Sequence, residues 1–134
     1  MSALIDDFKT EHSNIISALK EVEELGILTK KGHDKLMLLS LNLVKHLRHE
    51  DEWLYPVLRK ASEHNKKLKE ILSFFINGLG IIHEEMMRFI IKYNIGIISS
   101  NYQREYERLF GALRKRIEYE ENILYDEYNM LNQQ

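Results

Sequence analysis

One stretch, His46-Leu47-Arg48-His49-Glu50-Asp51-Glu52-Trp53-Leu54-Tyr55-Pro56, limits what this chain can fold into. On a helix of 3.6 residues per turn, positions four apart sit about 40° apart around the axis, so His46 and Glu50 project from one face, one turn apart. Leu36, Leu39 and Leu43 precede them on that face and Trp53 and Leu54 follow, which marks it as the inward one. An imidazole and a carboxylate on an inward face are costly to bury unless something pairs with them. A divalent metal ion pairs with both. The stretch has a downstream counterpart, Arg116-Ile117-Glu118-Tyr119-Glu120-Glu121-Asn122-Ile123-Leu124-Tyr125-Asp126, at an offset of 70 residues. The two share an apolar second position, Glu at the fifth, an acid at the sixth and Leu-Tyr at the ninth and tenth. His12 and His83 keep nearly the same offset, 71 residues. The chain therefore reads as a helix pair written twice, one ligand set per copy, with Arg116 where the repeat calls for histidine.

Hydrophobic spacing is helical on both sides of that stretch, and a single proline in 134 residues leaves few places to break it. Leu4, Ile5, Phe8, His12, Ile15, Ile16, Leu19 and Val22 predict a first helix over roughly 2–25, capped by Ser2 and stopped by Gly26. A second helix spans about 33–55 and ends or kinks at Pro56, which lacks a donor and disfavours helix before it. Ser62 to Asn65 reads as a turn and cap. The third helix follows through Leu68, Ile71, Leu72, Phe75, Leu79, Ile82, His83, Met86 and Ile90, with Gly78 and Gly80 permitting a close approach or a bend. Asn94 to Ser100 reads as a loop, and Ser100 with Gln103 fits a capping box. A fourth helix covers about 101–130 through Leu109, Leu113, Arg116, Glu120, Ile123 and Leu124. Short connectors make neighbours antiparallel, so the expected class is all-α, an up-down-up-down antiparallel four-helix bundle, with residues 1–134 as one domain.

Several function classes are excluded. The formal net charge of −2 comes with no basic cluster, so no nucleic-acid partner is expected. With no cysteine there is no thiolate metal or redox site. The most apolar run, Ile71 to Ile82, is too short to span a bilayer, and Met1 to Asp7 lacks the basic start of a secretory signal, so a cytoplasmic domain without membrane association is expected. No Ser/His/Asp arrangement, phosphate loop or dinucleotide fingerprint is present.

What remains is a polar group at the middle of each apolar face: His12, then His46 and Glu50, then His83, then Arg116 and Glu120. Any one alone is more often a satisfied core residue; four helices doing so at one depth point to a shared site, because buried polar groups must find partners. Imidazole and carboxylate ligands suit iron, manganese or zinc, and carboxylates that bridge point to a dinuclear site. His49, about 60° from His46, belongs at the edge of the site. His33 and His64 fall in turn-like segments and are expected in solvent. Tyr55 and Tyr125 read as packing residues whose hydroxyls find a partner.

The pattern His46-x-x-x-Glu50-Asp51-x-x-Leu54-Tyr55-Pro56, with His12, His83 and the Glu120-Glu121-x-x-Leu124-Tyr125 context, resembles the hemerythrin-like proteins, the HHE cation-binding domains, over essentially the whole chain. The resemblance implies a four-helix bundle holding non-haem iron at one or two positions. It also implies a role in binding or sensing dioxygen, nitric oxide or peroxide, or in handling iron. The metal ligands it implies are His12, His46, Glu50, His83 and Glu120. Arg116 departs from the pattern, since arginine stays protonated and has no lone pair to offer. Oxygen-carrying hemerythrins have His-x-x-x-His on helix 3, where Leu79 precedes His83, and His-x-x-x-x-Asp on helix 4, where the acid here comes at i+4. Reversible oxygen carriage is therefore not expected. The cysteine-bearing N-terminal segment of the related iron–sulfur-cluster repair proteins is also absent from this sequence. Three arrangements satisfy the charges: two metal ions; one ion at His12 and His46 with Arg116 neutralising the spare carboxylate; or a metal-free structural or interaction module in which Arg116 pairs with Glu50 and Glu120.

Overall fold

The computed structural model describes residues 2–94 and 101–132; residues 79, 80, 83, 93, 94 and 132 are described by their backbone alone. The described residues are helical apart from short turns, with no strand among them. Helix α1 (Ala3–Leu25) starts where the Ser2 hydroxyl accepts the Leu4 and Ile5 amides, at 3.1 and 3.4 Å. It stops at Gly26, whose φ of 93° suits a residue without Cβ. The Thr29 hydroxyl then accepts the Gly32 amide at 3.0 Å and opens α2 (Lys30–Trp53). This corner lets α2 fold back along α1.

The four helices in the sequence pattern appear as six α-helical segments and one π turn. Helix α2 ends at Trp53, and the chain restarts as α3 (Tyr55–Ser62) with Pro56 in its first turn, where its missing donor costs nothing. Asn65 caps α4 (Lys66–Asn94) through the Leu68 amide at 3.1 Å. Helix α5 (Tyr102–Tyr119) runs into a π-helical turn (Glu120–Leu124), then α6 (Tyr125–Asn132). The loop and capping box expected around Ser100 lie outside the described residues. Among the described residues no helix is long and apolar enough to cross a membrane.

The breaks correct two expectations, and the start of α2 corrects a third. Trp53 and Ile123 were expected to face inward, yet they are 60% and 41% exposed. After the break at Leu54 the inward row is carried by Leu54, Tyr55 and Leu58, and Trp53 is left on its flank. The π turn likewise passes the inward position from Ile123 to Leu124 and Tyr125. His33 lies in the first turn of α2, half-buried, rather than in an exposed turn; His64 is exposed as expected.

Two apolar clusters form the core. One gathers Ile15, Leu19, Leu36, Leu39, Phe89, Phe110 and their neighbours from α1, α2, α4 and α5. The other gathers Ile5, Phe8, Leu54, Leu58, Leu68, Leu72, Phe75, Leu124 and Tyr125. Along each helix the polar residues fall between them: His12 between Phe8 and Ile15, His46 and Glu50 between Leu43 and Leu54, Arg116 and Glu120 between Leu113 and Leu124. A polar belt thus divides the core.

Candidate metal centre

Three elements supply the four ligand-capable residues of that belt. His12 comes from α1, His46 and Glu50 from successive turns of α2, and Glu120 from the first residue of the π turn; all four are at most 3% exposed. Each offers a ligand atom, and the four atoms lie within 4.8 Å of one another. Ligands opposed across a metal shell of about 2.1 Å radius are roughly 4.2 Å apart, so this span fits a single ion after small adjustments. His12 Nε2 lies 3.2 Å from Glu120 Oε1, and His46 Nε2 lies 3.3 Å from Glu50 Oε1. His46 Nε2 and Glu50 Oε1 are nevertheless buried without a hydrogen-bond partner among the described residues, and so is Glu120 Oε2 on the Arg116 side of its carboxylate. Unpaired buried donors and acceptors cost free energy, and lone pairs converging at this separation are what a cation needs. The residues present fit a metal ion.

The outer nitrogens are set by carboxylates. Glu11 Oε1 accepts from His46 Nδ1 at 2.7 Å, and Glu121 Oε2 accepts from His12 Nδ1 at 2.8 Å. A carboxylate can only accept, so both Nδ1 atoms carry the proton and both Nε2 atoms face the centre. Glu11 Oε2 also accepts from His49 Nδ1 at 2.7 Å, which places His49 at the edge of the site, as its spacing predicted. Glu11 and Glu121 were not legible as site residues. The only signal was their adjacency to His12 and Glu120, and many exposed acids share such adjacency.

Burial opposes charge on His46, but the Glu50 carboxylate, with Glu11 and Glu120, outweighs it and raises the imidazole to about 9. Burial and the charge of Glu50 push the Glu120 carboxyl above the usual range, with His12 and Arg116 partly offsetting them. Tyr125 joins the centre directly: its hydroxyl donates to Glu50 Oε2 at 2.8 Å and lies 3.2 Å from His12 Nε2. Burial, then the Glu50 charge, keeps that phenol protonated far above its ordinary range. Tyr55 is equally buried, beside Arg116, and among the described residues its hydroxyl makes no hydrogen bond of ordinary geometry.

Arg116 is 5% exposed and points inward. Its Nη2 donates to the Phe75 carbonyl, its guanidinium carbon sits 4.6 Å from the Phe75 ring centre, and its Nε lies 3.7 Å from Glu120 Oε2. Among the described residues it makes no ion pair with Glu50. His83 belongs to α4, but its side chain lies outside the described residues, so the fifth expected ligand has no described position.

A buried imidazole–carboxylate cluster on a helical scaffold defines a cation-binding helical domain. The hemerythrin HHE cation-binding domain model matches residues 3–128, nearly the whole chain, and the protein belongs to that family. No curated protein and no solved structure matches the chain significantly.

Proposed function

We propose that this protein is a non-haem iron protein that holds its ion at His12, His46, Glu50 and Glu120, with His83 as a further ligand. The observation that carries this reading is the set of four buried ligand atoms within 4.8 Å, three of whose side chains keep an oxygen or nitrogen unpartnered. Mixed imidazole and carboxylate donors suit iron, with manganese and zinc as competitors. The arrangement of α1, α2 with α3, α4, and α5 with α6 is read as an up-down-up-down four-helix bundle, each short helix extending its predecessor, in one domain.

Beside the cluster lies a cavity with room for one water-sized molecule, lined by His12, His46, Arg116 and Glu120 and by apolar side chains such as Leu43 and Leu113. Its mixed polar and apolar lining and small size suit a ligand of one or two heavy atoms, and dioxygen, nitric oxide or peroxide is the ligand class proposed. When bound, the metal supplies an open coordination position and redox chemistry. This chain's own residues orient the imidazoles through Glu11 and Glu121 and keep a protonated phenol, Tyr125, at the site. A metal-free module held by Arg116 has support on its Glu120 side and in the His46–Glu50 pair at 3.3 Å, but among the described residues Arg116 makes no ion pair with Glu50.

The test is metal analysis of protein loaded anaerobically with iron(II), alongside His46→Ala. Tight binding in the parent and its loss in the variant are expected, since the substitution removes a ligand from the cluster core. Unchanged stoichiometry in His46→Ala would refute the ligand assignment.

A further inference from the structure

Glu120 has two faces. Its Oε1 lies 3.2 Å from His12 Nε2, while Oε2 has no hydrogen-bond partner among the described residues and lies 3.7 Å from Arg116 Nε. A second ion bridged by this carboxylate would need Oε2, and a guanidinium already stands there. The guanidinium is held from the far side as well, by the Phe75 carbonyl and the Phe75 ring. Space for it comes from Gly78, one turn further along α4. A Cβ at position 78 would come within 2.8 Å of Arg116 Nη1 and within 4 Å of nothing else among the described residues. Glycine in a helix interior is unfavourable relative to alanine, so its presence here is explained by the room it leaves.

We infer that Arg116 is a resident cation occupying the second-cation position of the centre, that this limits the protein to one metal ion per chain, and that Gly78 is the positioning residue that admits it. The inference rests on the metal-binding reading above and deepens it. A guanidinium keeps its charge at all working pH values and cannot ligate, so it neutralises the outer carboxylate oxygen while denying it to a metal.

Two measurements test this. The first is iron per chain after anaerobic loading of the parent and Arg116→His, which removes the fixed charge and adds a lone pair. One ion in the parent and two in the variant are expected. Two ions in the parent, or one in both proteins, overturns the inference and leaves metal binding intact; none in either protein overturns the metal reading itself. The second measurement needs no metal: urea midpoints of the metal-free parent, Gly78→Ala, Arg116→Met and the double variant. Gly78→Ala should lower the midpoint when Arg116 is present, because the guanidinium must leave the Phe75 carbonyl. The same substitution should raise the midpoint in the Arg116→Met background, because only the helix-propensity gain remains. A shift of the same sign in both backgrounds overturns the role of Gly78.

Discussion

Glu11 shows how much of this centre is decided by single side chains that never reach its middle. One carboxylate orients two imidazoles, at 2.7 Å each, and one of them is His46. Replacing Glu11 by Gln keeps the size but lets the amide present either a donor or an acceptor to Nδ1, so the tautomer of His46 is no longer dictated. Partners of this kind change metal affinity by about 10–100-fold. Glu11→Gln should weaken iron(II) binding by that factor in a chelator competition while leaving the number of ions per chain unchanged. Tyr125 acts differently, because its hydroxyl donates to a buried carboxylate. Tyr125→Phe leaves Glu50 Oε2 without its donor in the metal-free protein, a loss of about 1.5–3 kcal/mol for a hydrogen bond to a charged group. A urea titration of the metal-free variant measures it, and an unchanged midpoint would show that the bond adds nothing.

The π turn explains why Tyr125 is there at all. In a regular helix the fifth residue after Glu120 would point about 140° away from it. Here the Tyr125 amide bonds the Glu120 carbonyl, widening the turn and bringing both side chains into the core. Deleting Asn122, which is exposed, removes the extra residue without removing a buried contact. The turn should then close as α-helix with Leu124 and Tyr125 third and fourth after Glu120, about 60° and 40° from it, so that both stay on the inward face and the core contacts are kept. Thermal melts followed by circular dichroism should show a Tm close to the parent's, with metal content kept; a large fall in both would show that the wide turn itself, and not the face it presents, is what the core requires. The first copy of the repeat breaks at the matching place, between Glu50 and Tyr55, where α2 gives way to α3. That correspondence separates what could be read from the chain from what could not. His12, His46, Glu50 and Glu120 were legible because each sits where a strict helical period demands an apolar residue, so each stands out against its own stripe. Trp53 and Ile123 were misread by the same rule, since it assumes that the period continues through Leu54 and through Glu120–Leu124. Pro56 announced the first break; nothing in Glu120-Glu121-Asn122-Ile123-Leu124 announces the second. The inward turn of Arg116 was also open, because its long stem could equally reach solvent; the space beside Gly78 decides it.

Across the whole molecule the polar belt lies between two apolar clusters, so its charge state bears on how well the two halves of the core hold together. The metal-free protein has a definite pH dependence. The His46 pKa rises from 6.5 to about 9 on folding. A group raised in this way contributes stability that is fully present below pH 6.5 and is lost as pH climbs through 9. At about 1.4 kcal/mol per pH unit, the contribution amounts to roughly 3 kcal/mol. Glu120 is also raised, by burial and then by the charge of Glu50, so its contribution has the same sign and also fades as pH rises above the ordinary carboxylate range. An ion bound as proposed would reverse the preference, because it would need His46 neutral at Nε2 and Glu120 ionised, and its uptake would release protons. Metal affinity should therefore increase with pH up to about 9, while the metal-free fold weakens over the same interval. The two trends act on one observable, since ligand binding to the folded state raises its stability by mass action. The gap in Tm between iron(II)-loaded and metal-free protein, both kept anaerobic, should widen steadily from pH 6.5 to 9. In His46→Ala the metal-free protein should lose most of its pH dependence in that window. A gap that stays constant or narrows with pH would mean that the proton on His46 and the metal do not compete for the same lone pair.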